Sequence, residues 1–187
     1  MVIWIVPGVL VLGGIVLAAT FNSLVSLKNQ ALNGWKQIDV QLKRRYDLVP
    51  NLVETVKGVM KFEQETLTKV IEARNKAISA QGVADKAAQE NILSGALKQL
   101  FALVENYPNL KSNENVSKLQ EELVSTENRI GFARQFYNDI ATKFNTAQQT
   151  FPSNIFAGML GFKAVELFEV TSEEERKAPK VDLNINK

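Results

Sequence analysis

The chain of 187 residues contains no cysteine and no histidine. That excludes disulfides, thiolate nucleophiles, Cys/His zinc sites and imidazole acid–base chemistry together. The redox compartment is left unreadable, because a chain without thiols suits either side of a membrane. Charge of one sign is also lacking: 22 Lys and Arg stand against 20 Asp and Glu, interspersed along the chain. No one-signed field therefore points to nucleic acid. From Met1 through Leu27 there is no charged side chain at all. The length suits one ordinary domain plus an anchor and is short for two independent cores.

A helix over the charge-free stretch would measure about 40 Å at ~1.5 Å per residue, against a bilayer hydrocarbon core of about 30 Å. The run VIWIVPGVLVLGGIVLAATF is thus long enough to cross a membrane with some tilt. Trp4 suits an interfacial position, and Pro7 lies in the first turns, where a missing backbone donor costs least. Gly14 and Ala18, one turn apart, would let a second helix approach closely. A cleaved signal peptide normally carries a basic leader and a small-x-small site; nothing basic precedes Trp4, and Leu17 to Thr20 cleave poorly. A buried helix of a soluble protein would show some polar residues. Lys28, Lys36, Lys43, Arg44 and Arg45 follow the span and no Lys or Arg precedes it. The positive-inside rule then leans the following domain to the cytoplasmic side, the extracytoplasmic side staying open.

Beyond the span the periodicity is helical. Leu24, Leu27, Ala31, Trp35, Ile38 and Leu42 recur at three and four, and after Pro50 the stripe resumes with Val53, Val56, Met60, Leu67 and Val70 or Ile71. This predicts nearly continuous helix from Phe21 to Ser79, kinked or restarted at Pro50, with Asp47 placed to cap a restart. Gly82 ends the first arm. A second helix is predicted from Asp85 to Asn106, burying Ala88, Ile92, Ala96, Leu100 and Leu103 or Val104, and Tyr107-Pro108 stops it. A third starts at an N-cap from Ser112 or Asn113. Its seam is Val116, Leu119, Leu123, Thr126, Ile130, Ala133, Tyr137, Ile140, Phe144, Ala147 and Phe151. Packing of that seam against the first two helices predicts an antiparallel bundle, with an intermolecular coiled coil as the alternative, and Arg129, Arg134 and Lys143 lie off the seam and face solvent.

After Phe151-Pro152, Ile155, Phe156, Met159 and Leu160 share one side of a short helix before Gly161 and Phe162. This apolar patch would fold onto the end of the bundle, enter the lipid interface or meet another subunit. The expected fold is all-α: a transmembrane helix over 1–27, an elongated antiparallel bundle of three long helices and a short C-terminal one over 28–170, and a charged tail over 171–187. In the tail, Val181, Leu183 and Ile185 alternate like a strand that would pair with another subunit.

The stretch QLKRRYDLVPNLVETVKGVMKFEQETLTKVIEARNKA resembles the LemA family, as do FNSLVSLKNQALNGWKQIDV before it and FPSNIFAGMLGFKAVELFEV near the end. The likeness runs from Phe21 to Val170 and implies a membrane anchor and a long helical bundle. The family includes a protein involved in forming magnetosome membranes, which implies membrane organisation rather than catalysis. Other members carry a lipoprotein cysteine just before the position of Phe21; this chain has Ala18-Ala19-Thr20 there. Arg44, Arg45, Asp47, Pro50, Asn51, Leu52, Glu54 and Gly58 match the central motif. Arg44 and Arg45 would then serve as a basic site for lipid headgroups or a partner, or else the group satisfies backbone freed by the proline.

These features predict a non-enzymatic membrane scaffold that forms homo-oligomers on membrane lipid. The alternative is an adaptor recruiting another membrane or signalling protein. Neither metal nor cofactor is expected: Glu63, Glu65, Glu121 and Glu122 form no Glu-x-x-His pair, and no phosphate loop or nucleophile elbow is present.

Overall fold

Apolar residues at spacings of three and four fold as helix nearly throughout the computed structural model, which describes residues 2–60 and 63–169, with side chains from Ile5 onward. The helices are α1 (Val2–Lys57), α2 (Gln64–Ser79), α3 (Gly82–Glu105), α4 (Pro108–Lys111), α5 (Glu114–Gln149) and α6 (Ser153–Met159). The fold is an all-α bundle. The strand pattern at 181–185 and the tail over 171–187 lie outside the described residues.

Helix α1 contains 56 residues, about 84 Å at ~1.5 Å per residue, and holds Pro7 and Pro50 in its interior. Its first part, from Ile5 through Ala19, is exposed on every side. The segment is long and apolar enough to cross a membrane, with only 6% of its most apolar window buried. A core helix of a soluble domain would be covered, so that alternative does not fit. Among the described residues burial begins at Leu24, slightly before the first charged residue, and the helix passes from exposed to packed without a break.

Helix α5 runs antiparallel along α1. Leu24 is buried with Phe144, the Trp35 ring centroid lies 5.7 Å from that of Tyr137, and Arg44 reaches Glu122 at 3.4 Å. As the α1 number rises, the α5 number falls. Gly34 marks a close approach: a Cβ there would lie 3.3 Å from the Tyr137 Cα, so a side chain at that point would require α5 to give by a few tenths of an ångström. The α5 seam packs within its own chain, with Val116, Leu123, Thr126, Ile130, Ala133, Tyr137, Ile140 and Phe144 all buried. Asn113 caps the helix, its Oδ1 accepting from the amides of Asn115 and Val116.

The first arm departs from the sequence expectation. It does not restart at Pro50, and Asp47 is exposed and caps nothing. Helix α1 continues to Lys57, and α2 folds back along it, pairing the levels of Val53 and Leu67 and of Tyr46 and Ala77. Val53, Val56 and Met60 therefore face Leu67 and Val70 across a turn rather than sharing one stripe. Met60 and Leu67 are seven apart, two helical turns, so the turn between them does not disturb the apparent period. Gly82 has φ +77°, a backbone that favours glycine, but it opens α3 earlier than Asp85. The buried face of α3 is Ala87, Glu90, Leu93, Leu97, Leu100 and Val104; Ile92 is exposed, so most of the face is rotated by one residue from the expected one.

Candidate functional site

Seven of the eight motif residues, all but Gly58, lie on α1, and the helix separates them by side. Arg44, Asp47 and Asn51, spaced three and four apart, are exposed on one side. Arg44 makes a solvent-facing ion pair with Glu122. Arg45 points the other way and is 3% exposed. Its guanidinium is taken up by partners within the bundle.

Around Arg45 a polar network closes inside the bundle. Its guanidinium pairs with Glu90 at 3.3 Å and Glu127 at 2.8 Å, and donates to the Ser94 hydroxyl at 2.9 Å. Ser94 in turn donates to Glu127 at 3.3 Å. Glu90 is 0% exposed and accepts a hydrogen bond from the Tyr46 hydroxyl. Lys86 Nζ stands over the Tyr46 ring and donates to the Ala77 carbonyl at 2.9 Å. Helices α1, α3 and α5 thus meet on charges, each with partners, as burial requires. Burial pushes the Glu90 carboxyl above its ordinary 4.5, against the Tyr46 hydrogen bond and the positive charges of Arg45, Arg134 and Lys86. The same burial, reinforced by the neighbouring Glu90 carboxylate, raises the Tyr46 phenol.

Pro50 explains a second contact. Lacking an N–H, it leaves the carbonyl of Tyr46, one turn back, without its helical donor. Arg74 of α2 supplies one: its Nε donates to the Tyr46 oxygen at 2.7 Å. The side chain that satisfies the proline break therefore comes from a facing helix, not from Asp47 or Asn51. Arg74→Met should destabilise the bundle by about 1–3 kcal/mol, the cost of an orphaned buried acceptor. Pro50→Ala restores a local donor, so it should gain more in the Arg74→Met background than in the native chain. Thermal or urea melts of the four proteins of this cycle measure the coupling; strict additivity would sever the link between the two residues.

The patch after α5 is divided. Ala157 is buried with Leu24 and Phe144, and Phe162 packs against them, its ring 6.0 Å from Phe21 and 6.1 Å from Phe144. Phe156 is half-buried, while Ile155, Met159 and Leu160 are exposed. Beyond it an extended strap is fastened to α5. Asn145 exchanges hydrogen bonds with Val165, Asn138 with Phe168, and the Tyr137 hydroxyl donates to the Glu166 carbonyl at 2.7 Å. Arg134, expected in solvent, is half-buried with its guanidinium 4.5 Å from the Phe168 ring centre, because the strap crosses that face of α5. Arg129 and Lys143 are exposed as expected.

Sequence reasoning passed over Glu90, Arg74 and the strap asparagines. Glu90 carried a signal, an acidic residue in step with Leu93, Leu97, Leu100 and Val104. Arg74 could be found only by asking which donor serves the carbonyl that Pro50 releases.

The sequence pattern described as the LemA family matches residues 34–183. Protein LemA of Metamycoplasma hominis is 30% identical over 159 residues, covering 83% of this chain and 71% of that protein. Magnetosome protein MamQ of Magnetospirillum gryphiswaldense is 26% identical over 174 residues, covering 79% of this chain. Magnetosome protein MamQ 2 of Paramagnetospirillum magneticum is 24% identical over 175 residues, covering 80% of it. The chain spans 64% of the length of each of these magnetosome relatives.

Proposed function

The chain belongs to the LemA family, and from that premise we propose that it is a non-enzymatic scaffold, anchored in a membrane by α1, that self-assembles and organises or shapes the membrane. The observation that carries this reading is the continuity of α1. One helix is bare and apolar over its first part and gripped by α5 and α2 over the rest, so force or tilt in either part is transmitted to the other. The relatives named as magnetosome proteins support the same direction. The Arg45 network supports a non-enzymatic reading, because its charged groups are paired with one another and Arg45 and Glu90 are buried. A reacting group needs an open position beside it. The Lys and Arg that follow the apolar segment lean the bundle toward the cytoplasmic side.

Images of the full chain in mild detergent test the assembly. They should show closed or repeating multi-copy particles; lone bundles at every protein concentration would remove the scaffold. A second reading, an adaptor, has support in Val40, Phe132 and Phe136, an exposed apolar strip between α1 and α5 flanked by Lys36 and Arg129. Lone bundles together with one dominant neighbour in proximity labelling would favour it.

A further inference from the structure

The position of α6 along the molecule is fixed by packing. Ala157 and Phe162 hold it to Phe21, Leu24 and Phe144, and the strap hydrogen bonds keep the following residues against α5. That places α6 beside the turn of α1 between the bare apolar segment and Lys28, the first charge in the chain. Residues 5–21 as helix measure about 26 Å, close to a bilayer hydrocarbon core, so this turn meets the boundary of acyl chains and headgroups. At that level α6 and the residues flanking it turn apolar side chains outward. Met159 is 83% and Phe151 80% exposed, and Ile155 and Leu160 are exposed with them. The patch continues the apolar surface of α1, where Leu17 and Phe21 are themselves exposed. Cations stand at the same height: Lys28 Nζ lies 5.9 Å from the Phe162 ring centre, and Lys163 is exposed.

We propose that α6 is an interfacial helix. Phe151, Ile155, Met159 and Leu160 enter the outer acyl region of the leaflet from which α1 emerges, and Lys28 and Lys163 lie among its headgroup phosphates. The occupant is lipid rather than a second copy because the patch is packed at the end of the exposed apolar segment of α1, at the level of Phe21 and Leu24. The inference rests on the reading of α1 as the anchor. It adds a wedge on one side of the bilayer and a second point that fixes the tilt of the bundle.

The lack of cysteine in the native sequence makes single-site labelling clean. Full-length Ile155→Cys, Met159→Cys, Leu12→Cys and Phe132→Cys are each labelled with an environment-sensitive fluorophore. They are reconstituted into phosphatidylcholine–phosphatidylglycerol vesicles holding lipids with a quencher at shallow or deep acyl positions. Phe132 is 74% exposed, but it lies about 18 Å along α5 from Phe144 at ~1.5 Å per residue, clear of the interface. Labels at 155 and 159 should be quenched by the shallow lipid several-fold more than the label at 132. If they are quenched no more than 132 while the label at 12 is quenched by the deep lipid, α1 spans and the interfacial helix is refuted. If the label at 12 is unquenched, the anchor fails and the inference with it. Label-to-label quenching at 159 that grows with protein density, without lipid quenching, assigns the face to a second copy and also overturns the proposal.

Discussion

Arg45→Met should destabilise the bundle by about 3–5 kcal/mol, because removing one partner of a buried ion pair leaves the other uncompensated. The partner left behind is Glu90, fully enclosed, whereas Glu127 is part-exposed and can turn to water. In a chain of this size the loss corresponds to a melting temperature lower by roughly 6–20 °C, followed by circular dichroism in detergent. The pH dependence separates this cause from simple loss of packing. The folded Glu90 carboxyl already sits above its ordinary 4.5 because of burial, and without Arg45 it rises further. A raised folded carboxyl contributes stability that is fully present below the unfolded value and is lost as pH rises through the folded one. The variant's penalty should therefore be smallest in acid, where Glu90 is protonated in both folded proteins, and grow as pH rises past the native protein's raised folded value. A penalty independent of pH across the whole range in which the native protein itself loses stability to Glu90, and beyond it, would mean that Glu90 does not carry it. Arg45→Met with Glu90→Leu should recover most of the loss, since the charges leave together and Tyr46 keeps the Ala77 carbonyl as acceptor at 3.3 Å.

The same network shows where the sequence could be read and where it could not. The α5 seam was legible because its stripe runs unbroken from Val116 to Phe144, whereas the other large apolar residues, Val124, Phe132 and Phe136, are too few to rival it. Helix α3 offers two: Ile92, Ala96 and Leu103 form one, and Leu93, Leu97 and Val104 the next. The second is buried because it keeps step with Glu90, whose partners Arg45 and Tyr46 lie on another helix. Periodicity within α3 carries no information about that choice. The turn after Lys57 was hidden for a related reason. Proline is the stronger local signal, but a helix tolerates Pro50 when a side chain from outside serves the freed carbonyl. Arg44 and Arg45 are neighbours in sequence and opposites in setting, about 100° apart around the helix. A motif read as a string joins them, and the fold gives one to solvent and one to the core.

The sign of the α1 surface also fixes what a charge within it should do. Leu12 and Val16 lie one turn apart and are both exposed, outside the buried core of the bundle. Leu12→Arg with Val16→Arg sets two guanidinium groups at the depth of the acyl chains, at about 2.5–3.5 kcal/mol each on insertion scales. Snorkelling lowers that figure near the ends of a span, but both positions lie well inside the charge-free run. The native chain should stay with membranes through alkaline carbonate washing, and the double variant should appear largely in the soluble fraction. Its bundle should melt as the native one does, because buried packing starts only at Leu24. A native chain that washes free, or one recovered from cells trimmed of its first residues, would show that the apolar segment is not a lasting anchor. A variant that stays embedded would place the membrane contact elsewhere, with the α6 face next in line.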